Sequence, residues 1–476
     1  MNFPDYCEYD GVGLAELVRK GEVSPAELVE AAIERIERRN GALNAVVFKA
    51  YDEARKTAAG ALPDGPFRGV PFLVKDHDVA VGGWPTTHGS RFLRDNIEPA
   101  DSGLVRRFRE SGVVLVGKTN APEFGITGTT EGASLGACRN PWNLAHSTGG
   151  SSGGSSAAVA AGIVPMAHAA DGLGSIRIPA ACCGLVGLKT TRDRNPDLPD
   201  GYDYAFGLVV SHVVSRTVRD SAVMLDATGK PEPASPYPAP PKERPYVEEI
   251  ARAPGRLRIA WPPEPLESRP VDPEVQGALE RTAALLRDLG HEVIERPLEL
   301  DYRALNAAYG PPSAANFAAG MRRLIERVGR EPEPEELEHL SWGALRAGRS
   351  VTGEEVMWGL QELRMLNRRT LTFFEDIDVY LCPVMTAPPP PLGYLDPVAV
   401  RAREVNQRQG RLFPYAAAFN FSGQPSLSLP LAWSAGGLPI GMMFTAKYAD
   451  EAVLFRLAAQ LEKEQPWKDK HPPVWG

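Results

Sequence analysis

The spacing of apolar and polar residues predicts helices at the start of the chain. In GEVSPAELVEAAIERIE, apolar residues recur at the spacing of one helix face. Ser24 precedes Pro25 and stands three residues before Glu27, so Ser24 and Glu27 form a capping box at the start of this helix. We therefore expect a helical cover over residues 1–60.

From Gly69 onward, apolar residues come in short runs that are typical of buried strands. GVPFLVKD and SGVVLVGKTN are rich in β-branched residues, and turn residues separate them from the helical stretch SGLVRRFRES. This alternation of strands and helices predicts an α/β fold.

The second half of the chain also alternates predicted strands and helices. RLRIAW and HEVIER read as strands around a helix that begins at Asp272 and Pro273 and stops at Gly290. Further strands are predicted at IDVYLCP, SLSLPL and LPIGMMF, before a last helix in EAVLFRLAAQLEK. Because strands on both sides can join one sheet, we expect a single domain over 1–476, with a proline-rich surface connector at 231–245 and a helical insertion at 313–376. A second capping box, at Thr352 and Glu355, lies in that insertion.

Composition narrows the class of protein. The 476 residues are 43% hydrophobic, enough for a large core, and the net charge of -8 offers no basic surface for nucleic acid. The five cysteines form no CxxC pair, which indicates neither a disulfide framework nor a zinc ribbon and favours a reducing cytoplasm. The N-terminus lacks the apolar core of a secretory signal, and no apolar run is long enough to span a membrane.

Two short motifs match catalytic patterns without their context. Residues 112–119 match GxxxxGK[ST], but the four intervening residues, VVLV, favour a buried strand over a phosphate-binding loop. GGSSG at 149–153 matches the GxSxG nucleophile elbow, which needs a preceding strand and a distant histidine. The preceding RNPWNLAHST is not strand-like, so we expect neither chemistry.

A set of separated motifs carries more weight. GGSSGGSSAAVAAG, DGLGSIRIPAACCGLVGLKTT, the upstream VKD, and NFSGQPSLSLPL with GLPIGMMF near the C-terminus resemble the amidase signature family. The resemblance covers nearly the whole chain and implies a large mixed, twisted sheet with helices on both faces. DGLGS, RNPWNL and NFSGQPSLSLPL look most similar to the branch that hydrolyses cyclic and linear nylon oligomers.

The resemblance implies a catalytic triad of two serines and a lysine. Ser175 in GLGSIR matches the nucleophile, Ser151 in GGSSGG the bridging serine, and Lys75 in FLVKD the base. It also implies a cis peptide bond between Gly150 and Ser151. Because a lysine acts as a base only when neutral, we expect Lys75 to be buried away from carboxylates, with the adjacent Asp76 pointing to the opposite face.

Donors for the negative oxygen of a tetrahedral intermediate are expected in the same loop. The backbone N–H groups of Gly172, Leu173, Gly174 and Ser175 form the predicted oxyanion hole. Leu173 stands where the family has glycine, and a leucine would be strained if the position needs a positive φ. The resemblance implies that Asp171 and Arg177 pair to hold the loop. Ser152 either supports the wall of the site or satisfies its own turn.

Substrate contacts and other reactive side chains are less sharply indicated. The resemblance implies that Gly125, Ile126 and Thr127 line the pocket; the alternative is that they are ordinary loop residues. The adjacent Cys182 and Cys183 are typical of small core residues. His77 and His88 lack ligand spacing and a third partner, and we expect neither a metal nor a cofactor.

The sequence thus predicts a cytoplasmic amidase that cleaves a small amide through a serine acyl-enzyme. Cyclic or linear amide oligomers, aryl amides and carbamates are the candidate substrates. The expected partner is this small-molecule substrate, and we expect no nucleic-acid partner. Whether the protein forms a homodimer is left open by the sequence. Two alternatives remain: a glutamine-hydrolysing subunit of a tRNA-dependent amidotransferase, and an inactive binding module that keeps only the fold.

Overall fold

The computed structural model of the protein describes residues 4–196, 204–230, 235, 237–264 and 270–476. Residues 231–234 and 236 of the proline-rich connector lie outside the described residues. Residue 235 and residues 237–245, the rest of that connector, contain neither helix nor strand.

Helices occur along the whole chain, and both predicted capping boxes are present, at Ser24 with Glu27 and at Thr352 with Glu355. The described residues form fifteen α-helices: α1 Gly11–Lys20, α2 Pro25–Leu43, α3 Tyr51–Ala59, α4 Gly103–Glu110, α5 Gly153–Ala160, α6 Arg177–Cys183, α7 Val218–Thr228, α8 Tyr246–Glu249, α9 Pro273–Asp288, α10 Tyr302–Val328, α11 His339–Ser350, α12 Gly353–Phe373, α13 Ala402–Leu412, α14 Ala417–Ser422 and α15 Glu451–Glu464. Short 3-10 turns lie at Pro4–Glu8, Arg91–Leu93, Glu123–Gly125, Tyr204–Gly207 and Pro334–Glu336.

The β-branched runs found in the sequence form strands, and further strands lie outside them. The strands within the described residues are β1 Val46–Lys49, β2 Pro71–Lys75, β3 Val114–Thr119, β4 Glu131–Gly132, β5 Gly136–Ala137, β6 Arg139–Asn140, β7 Asn143–Ser147, β8 Met166–Asp171, β9 Val186–Lys189, β10 Val210–Ser215, β11 Arg258–Trp261, β12 Glu292–Glu295, β13 Val379–Pro383, β14 Ser426–Trp433 and β15 Pro439–Ala446. RNPWNLAHST, expected not to be strand-like, contains β6 and β7. The GxxxxGK[ST] match falls on β3, a fully buried strand, as the sequence predicts.

Eleven of these strands form one mixed sheet, in the order β1-β3-β2-β8-β10-β9-β14-β15-β13-β11-β12. Strands β3, β2 and β8 are parallel, as are β13, β11 and β12, whereas the strands between β8 and β13 pair antiparallel. Strand β9 pairs with β14, so strands from both sides of the connector share the sheet. The α/β fold class is confirmed.

Both faces of the sheet are buried, as the side chains of β13 show. Val379 and Leu381 join one apolar cluster together with α7, α9 and α15, while Tyr380 and Cys382 join another together with α2, α4 and α5. Successive side chains of a strand point to opposite faces, so the two clusters cover opposite sides of the sheet.

Two expected boundaries are wrong. The first sixty residues are not all helical, because β1 pairs antiparallel with β3 at the edge of the sheet. The helical segment expected from residue 313 begins earlier, with α10 at Tyr302, where the Asp301 side chain caps the helix by accepting from the Ala304 N–H. Pro311 and Pro312 lie inside α10 and do not end it.

Parallel pairing sets where chemistry can occur on this sheet. Strands β2 and β8 run parallel with Leu73 opposite Ala167, so their carboxyl ends meet at the same edge. Lys75 ends β2, and Asp171 ends β8 just before the DGLGS loop. Loops beyond the carboxyl ends of parallel strands are the usual place for a ligand in such sheets.

Of the helices in the described residues, none has the length and apolar character needed to cross a membrane.

Candidate active site

The side chain of Lys75 lies inside the protein and points to the glycine-rich segment. Strand β2 is buried along its whole length, and Lys75 is only 1% exposed. Its Nζ lies 2.9 Å from Oγ of Ser151. The two residues, far apart in the sequence, are thus in direct hydrogen-bond contact.

Ser151 enters this site from a tightly enclosed loop before α5. The peptide bond between Gly150 and Ser151 is cis. A Cβ at Gly150 would lie 2.6 to 2.7 Å from backbone atoms of Thr127 and Thr129, so only glycine fits there. The glycine-rich stretch is therefore a wall packed against a neighbouring backbone, and not a flexible linker.

Ser152 connects this wall to the DGLGS loop. Its N–H donates to the carbonyl of Ser175 at 3.3 Å, and its hydroxyl donates to the carbonyl of Ala170 at 3.2 Å. The Ala170 N–H in turn donates to Ser152 Oγ, also at 3.2 Å. Ser152 is fully buried, so these bonds hold the Ser151 segment beside β8 and beside the backbone of Ser175. They give Ser152 a connecting role between segments.

Asp171 and Arg177 form a fully buried ion pair behind the DGLGS loop. Arg177 donates to Asp171 through Nε and Nη2, both at 2.9 Å. Burial raises the pKa of the Asp171 carboxyl, but the charge and hydrogen bonds of Arg177 outweigh it and hold that pKa well below its usual range. Asn420 completes the cluster, since its Nδ2 donates to Asp171 Oδ1 at 2.9 Å and its Oδ1 accepts from Arg177 at 2.6 Å.

Asn420 was not singled out in the sequence. It opens NFSGQPSLSLPL, one of the segments on which the family resemblance rests, and that position is the signal that would have found it. The side chain of Arg177 also donates to the carbonyl of Ala416 at 2.9 Å. The DGLGS loop is therefore braced by the C-terminal part of the chain.

The backbone of the DGLGS loop answers the question raised by Leu173. Leu173 is not among the residues with positive φ, whereas Gly174 has φ +126°. A Cβ at Gly174 would also approach Ile178 to 2.7 Å. The position that needs glycine is thus 174, and leucine at 173 carries no such strain.

One of the four expected oxyanion donors is already engaged. The Gly174 N–H donates to Asp171 Oδ1 at 2.6 Å, so the expectation that Gly174 offers its N–H to the oxyanion is wrong in this arrangement. Gly172, Leu173 and Ser175 remain the expected donors.

The loop of Gly125, Ile126 and Thr127 passes beside Ser151. A Cβ at Gly125 would lie 2.8 Å from the His77 ring and 3.2 Å from Ser151 Oγ. Ile126 packs against an apolar cluster that includes Phe317 of α10. Thr127 is buried, and its hydroxyl donates to the Thr129 carbonyl at 2.9 Å, so it holds the loop internally.

The surroundings of Lys75 differ from expectation in one respect. Asp76 points away, as predicted, and accepts from the N–H of Thr87 at 3.1 Å. Asp78, however, places Oδ2 2.9 Å from Lys75 Nζ. The expectation that Lys75 lies away from carboxylates is therefore wrong. The spacing KDHD, with an acid three residues after the lysine, is the signal that could have shown it, because a chain that turns back after a strand brings such residues together.

Two histidines continue from Asp78. His77 Nε2 lies 3.3 Å from Asp78 Oδ1, and His77 Nδ1 lies 2.7 Å from His88 Nδ1. Burial lowers the pKa of His77 to about 4 and that of His88 well below its usual value. Burial raises the pKa of Asp78, but the proximity of His77 and Lys75 and the hydrogen bond from Lys75 outweigh burial and hold that pKa well below its usual range. The site therefore contains a charged carboxylate next to neutral imidazoles.

Other reactive groups nearby take structural roles. The Lys75 N–H donates to Nδ1 of His168 at 3.3 Å, and burial lowers the pKa of His168 to about 3. Burial raises the pKa of the Cys182 and Cys183 thiols, which lie in the apolar core. Across the described ranges, no three His, Cys, Asp or Glu side chains group closely enough to hold a metal ion.

Known proteins match this chain over nearly its whole length. The family model described as Amidase matches residues 27–455. The 6-aminohexanoate-cyclic-dimer hydrolase of Paenarthrobacter ureafaciens is 37% identical over 480 residues, which cover 98% of this chain and 96% of that protein.

Solved structures give the same result. The structure of a 6-aminohexanoate cyclic dimer hydrolase complexed with substrate matches with a TM-score of 0.93 and 36% identity, covering 99% of this chain and 100% of that one. A bacterial aryl acylamidase belonging to the amidase signature enzymes matches with a TM-score of 0.88 and 28% identity, covering 98% of both chains.

Proposed function

The chain belongs to the amidase family, and from that membership we propose how its residues carry out the reaction. The protein is a hydrolase that acts on carbon–nitrogen bonds, similar to a cyclic-amide hydrolase. In the proposed assignment, Ser175 is the nucleophile, Ser151 relays its proton and Lys75 is the base.

The proposed reaction starts with neutral Lys75. As Ser175 Oγ attacks the amide carbonyl, its proton passes to Ser151 Oγ while the proton of Ser151 passes to Lys75 Nζ. The C–N bond then breaks, and the proton returns from Lys75 through Ser151 to the leaving nitrogen. Water attacks the acyl-enzyme by the same route, which releases the acid and restores Ser175.

The negative oxygen formed in both steps needs donors that are already in place. We assign these to the backbone N–H groups of Gly172, Leu173 and Ser175. The Asp171–Arg177 pair, braced by Asn420, holds the loop that carries them. Because this brace is fully buried, the loop does not have to reorganise as charge develops.

A single observation carries the assignment of the relay: the 2.9 Å contact between Lys75 Nζ and Ser151 Oγ. A serine hydroxyl is a weak nucleophile and needs a base within hydrogen-bond reach. The side chain of Lys75 is 1% exposed, so its nitrogen is buried next to the serine. The backbone bond from Ser152 to the Ser175 carbonyl supports a place for the nucleophile beside this pair.

The walls around the site favour an apolar acyl chain. Leu173 packs against a cluster that includes Leu305 and Tyr309 of α10, and Ile126 packs against a cluster that includes Phe317 of the same helix. Helix α10 thus contacts the two loops on either side of Ser151. We assign it, with α11 and α12, to the substrate side of the enzyme.

The proposed substrates are small amides with methylene chains, cyclic or linear, because such chains fit apolar walls. The names of the relatives agree: one acts on the cyclic dimer of 6-aminohexanoate and another is an aryl acylamidase. Aryl amides and carbamates follow as further candidates, since the same acyl-enzyme chemistry cleaves them.

The test is a hydrolysis panel of cyclic amide dimers, linear amide dimers, anilides, carbamates and free glutamine. We expect the wild type to cleave the amide dimers and Ser175→Ala to lose at least about a thousandfold in kcat/KM. Ser151→Ala and Lys75→Met should fall similarly, because residues that act as a unit are not additive. A fluorophosphonate probe should label Ser175 in the wild type.

Ser350→Ala, at the exposed end of α11, is the matched control and should keep wild-type rates. Full turnover by Ser175→Ala would refute the assignment. Turnover of free glutamine alone, with none of the amides cleaved, would favour the amidotransferase subunit over the amidase. If the wild type shows no labelling and no turnover, the result favours the inactive binding module.

A further inference from the structure

The structure holds Lys75 between two partners. Its Nζ lies 2.9 Å from Ser151 Oγ and 2.9 Å from Asp78 Oδ2, and the exposed fractions of the Lys75 and Asp78 side chains are 1% and 3%. A flexible lysine side chain with one partner can adopt several rotamers. With two partners in a buried site, the Lys75 side chain is held in one orientation, with its nitrogen directed at Ser151.

Asp78 is itself held in an unusual conformation. Its φ is +74°, and two further non-glycine residues beside it, His88 and Phe124, have φ values of +50° and +48°. Aspartate and histidine tolerate the left-handed region, but phenylalanine rarely occupies it. Backbone of this kind persists where surrounding structure enforces it, and it concentrates at functional sites.

We propose that Asp78 is a positioning residue for Lys75: its carboxylate aims the amine at Ser151 and stabilises the ammonium formed when Lys75 receives the Ser151 proton. The inference rests on the proposed function, which makes Lys75 the base. His77 and His88 extend the arrangement, since they bond to each other and His77 faces the far oxygen of Asp78.

The proton balance of the step shows what the carboxylate does. The O–H bond of Ser151 breaks and an N–H bond of Lys75 forms, so one positive charge appears on a buried nitrogen. Without a counter-charge, burial strongly opposes such a charge. The carboxylate of Asp78 offsets it at 2.9 Å, and no proton needs to move to Asp78.

The same carboxylate favours the protonated enzyme before substrate arrives, and this gives the inference a pH signature. Removing the charge of Asp78 should extend activity to lower pH and should also lower the maximal rate. The other charged or titratable groups that face this cluster are His77 and His88 from the segment after β2, Lys118 from β3, His168 from β8 and Arg327 from α10.

The test compares the pH profiles of kcat/KM and kcat for wild type and Asp78→Asn. We expect the acid limb of Asp78→Asn to move down by about one to two pH units, and kcat on the plateau to fall roughly ten- to hundredfold. The rate of fluorophosphonate labelling at Ser175 is measured across the same pH range, because it follows the first proton transfer alone.

Asp76→Asn is the matched control. It removes the same charge from the same KDHD segment, but the Asp76 carboxylate faces Thr87 and Lys118 and not Lys75. We expect its acid limb to coincide with that of the wild type. Circular dichroism establishes which variants are folded.

An Asp78→Asn profile that overlays the wild type in both limb and plateau would overturn the inference. If that variant does not fold, Asp78→Ser, which also removes the carboxylate, replaces it, and an unmoved acid limb there counts equally against the inference. Failure of the proposed function looks different: the wild type itself would then leave Ser175 unlabelled.

Discussion

The carboxylate of Glu338 accepts a 2.7 Å hydrogen bond from the backbone N–H of Ala133. This bond ties the start of α11 to the turn that follows β4. The pKa of Glu338 is raised to about 7, chiefly by burial and further by the nearby Glu123 and Asp396, although the hydrogen bond from Ala133 lowers it. The docking of the helical segment therefore includes a carboxyl group that titrates near neutral pH.

The first prediction concerns the pH dependence of stability. The ordinary pKa of Glu338 is 4.5, so between 4.5 and about 7 the folded protein holds a proton that the unfolded chain has released. The stability from this group is full below pH 4.5 and is lost as pH rises through about 7. Glu338→Gln keeps an acceptor for Ala133 without a titrating proton. In chemical denaturation, the free energy of unfolding of Glu338→Gln relative to that of the wild type should rise by about 2 to 3 kcal/mol between pH 5 and pH 8.

Glu335→Gln, at an exposed position in the preceding turn, is the control for this measurement. Its stability should follow the wild-type curve at both pH values. Parallel curves for Glu338→Gln and wild type would show that Glu338 does not titrate in this range.

A second prediction concerns the Asp171–Arg177 pair. Arg177→Met leaves a buried carboxylate without its counter-charge and should lower the free energy of unfolding by about 3 to 5 kcal/mol. Arg322→Met removes an exposed i,i+4 partner of Glu326 and should cost less than about 1 kcal/mol. Urea denaturation of both variants checks the contrast, and equal losses would contradict the role of burial.

The third prediction distinguishes two effects of replacing a glycine: the strain of a positive φ, and the steric contact of the new Cβ with the site. Gly125 and Gly83 have similar φ values, +67° and +80°, so alanine at either position costs about 1 to 2 kcal/mol of stability. Only at Gly125 would the new Cβ meet the His77 ring and Ser151, whereas none of the described atoms lies within 4 Å at Gly83. Gly125→Ala should therefore lose about a hundredfold in kcat, and Gly83→Ala should keep wild-type kcat. Similar kcat values for the two variants would exclude a role for space at Gly125.

The fourth prediction concerns Leu173. Leu173→Ala removes apolar contact between the DGLGS loop and α10, so KM for amides with long methylene chains should rise roughly three- to tenfold. For a short amide such as acetanilide the change should be smaller. Leu371→Ala, at an exposed position of α12, is the control and should leave KM unchanged. An equal rise for short and long substrates would argue against an apolar acyl site at Leu173.

Much of the fold follows from local sequence pattern. Apolar runs predicted β2, β3 and β13 to β15, and caps predicted the starts of α2 and α12, because burial and capping act over a few residues. Strand β1 escaped prediction because its four residues lie between two helices and owe their conformation to pairing with β3. Helix α10 continues through Pro311 and Pro312, although proline usually breaks a helix.

The site was less accessible to sequence reasoning where contacts are not local. Motif order alone led to Lys75, Ser151 and Ser175, and the roles of these three residues stay a prediction. Asp78 was missed because the KDHD spacing places an acid three residues after Lys75 but does not by itself give the left-handed backbone that brings its carboxylate back to the amine. The strain expected at Leu173 was resolved only by the backbone angles, which put the special conformation at Gly174.

Because Asn420 lies near the C-terminus, the cluster behind the nucleophile loop is completed late in synthesis. Every side chain in the proposed relay belongs to the first 175 residues, yet the cluster behind the nucleophile loop is completed by an amide near the other end of the chain. A nascent polypeptide therefore holds its full catalytic complement long before the buried charges behind it are satisfied. Activity should appear only late in synthesis, once Asn420 has left the ribosome and reached Asp171.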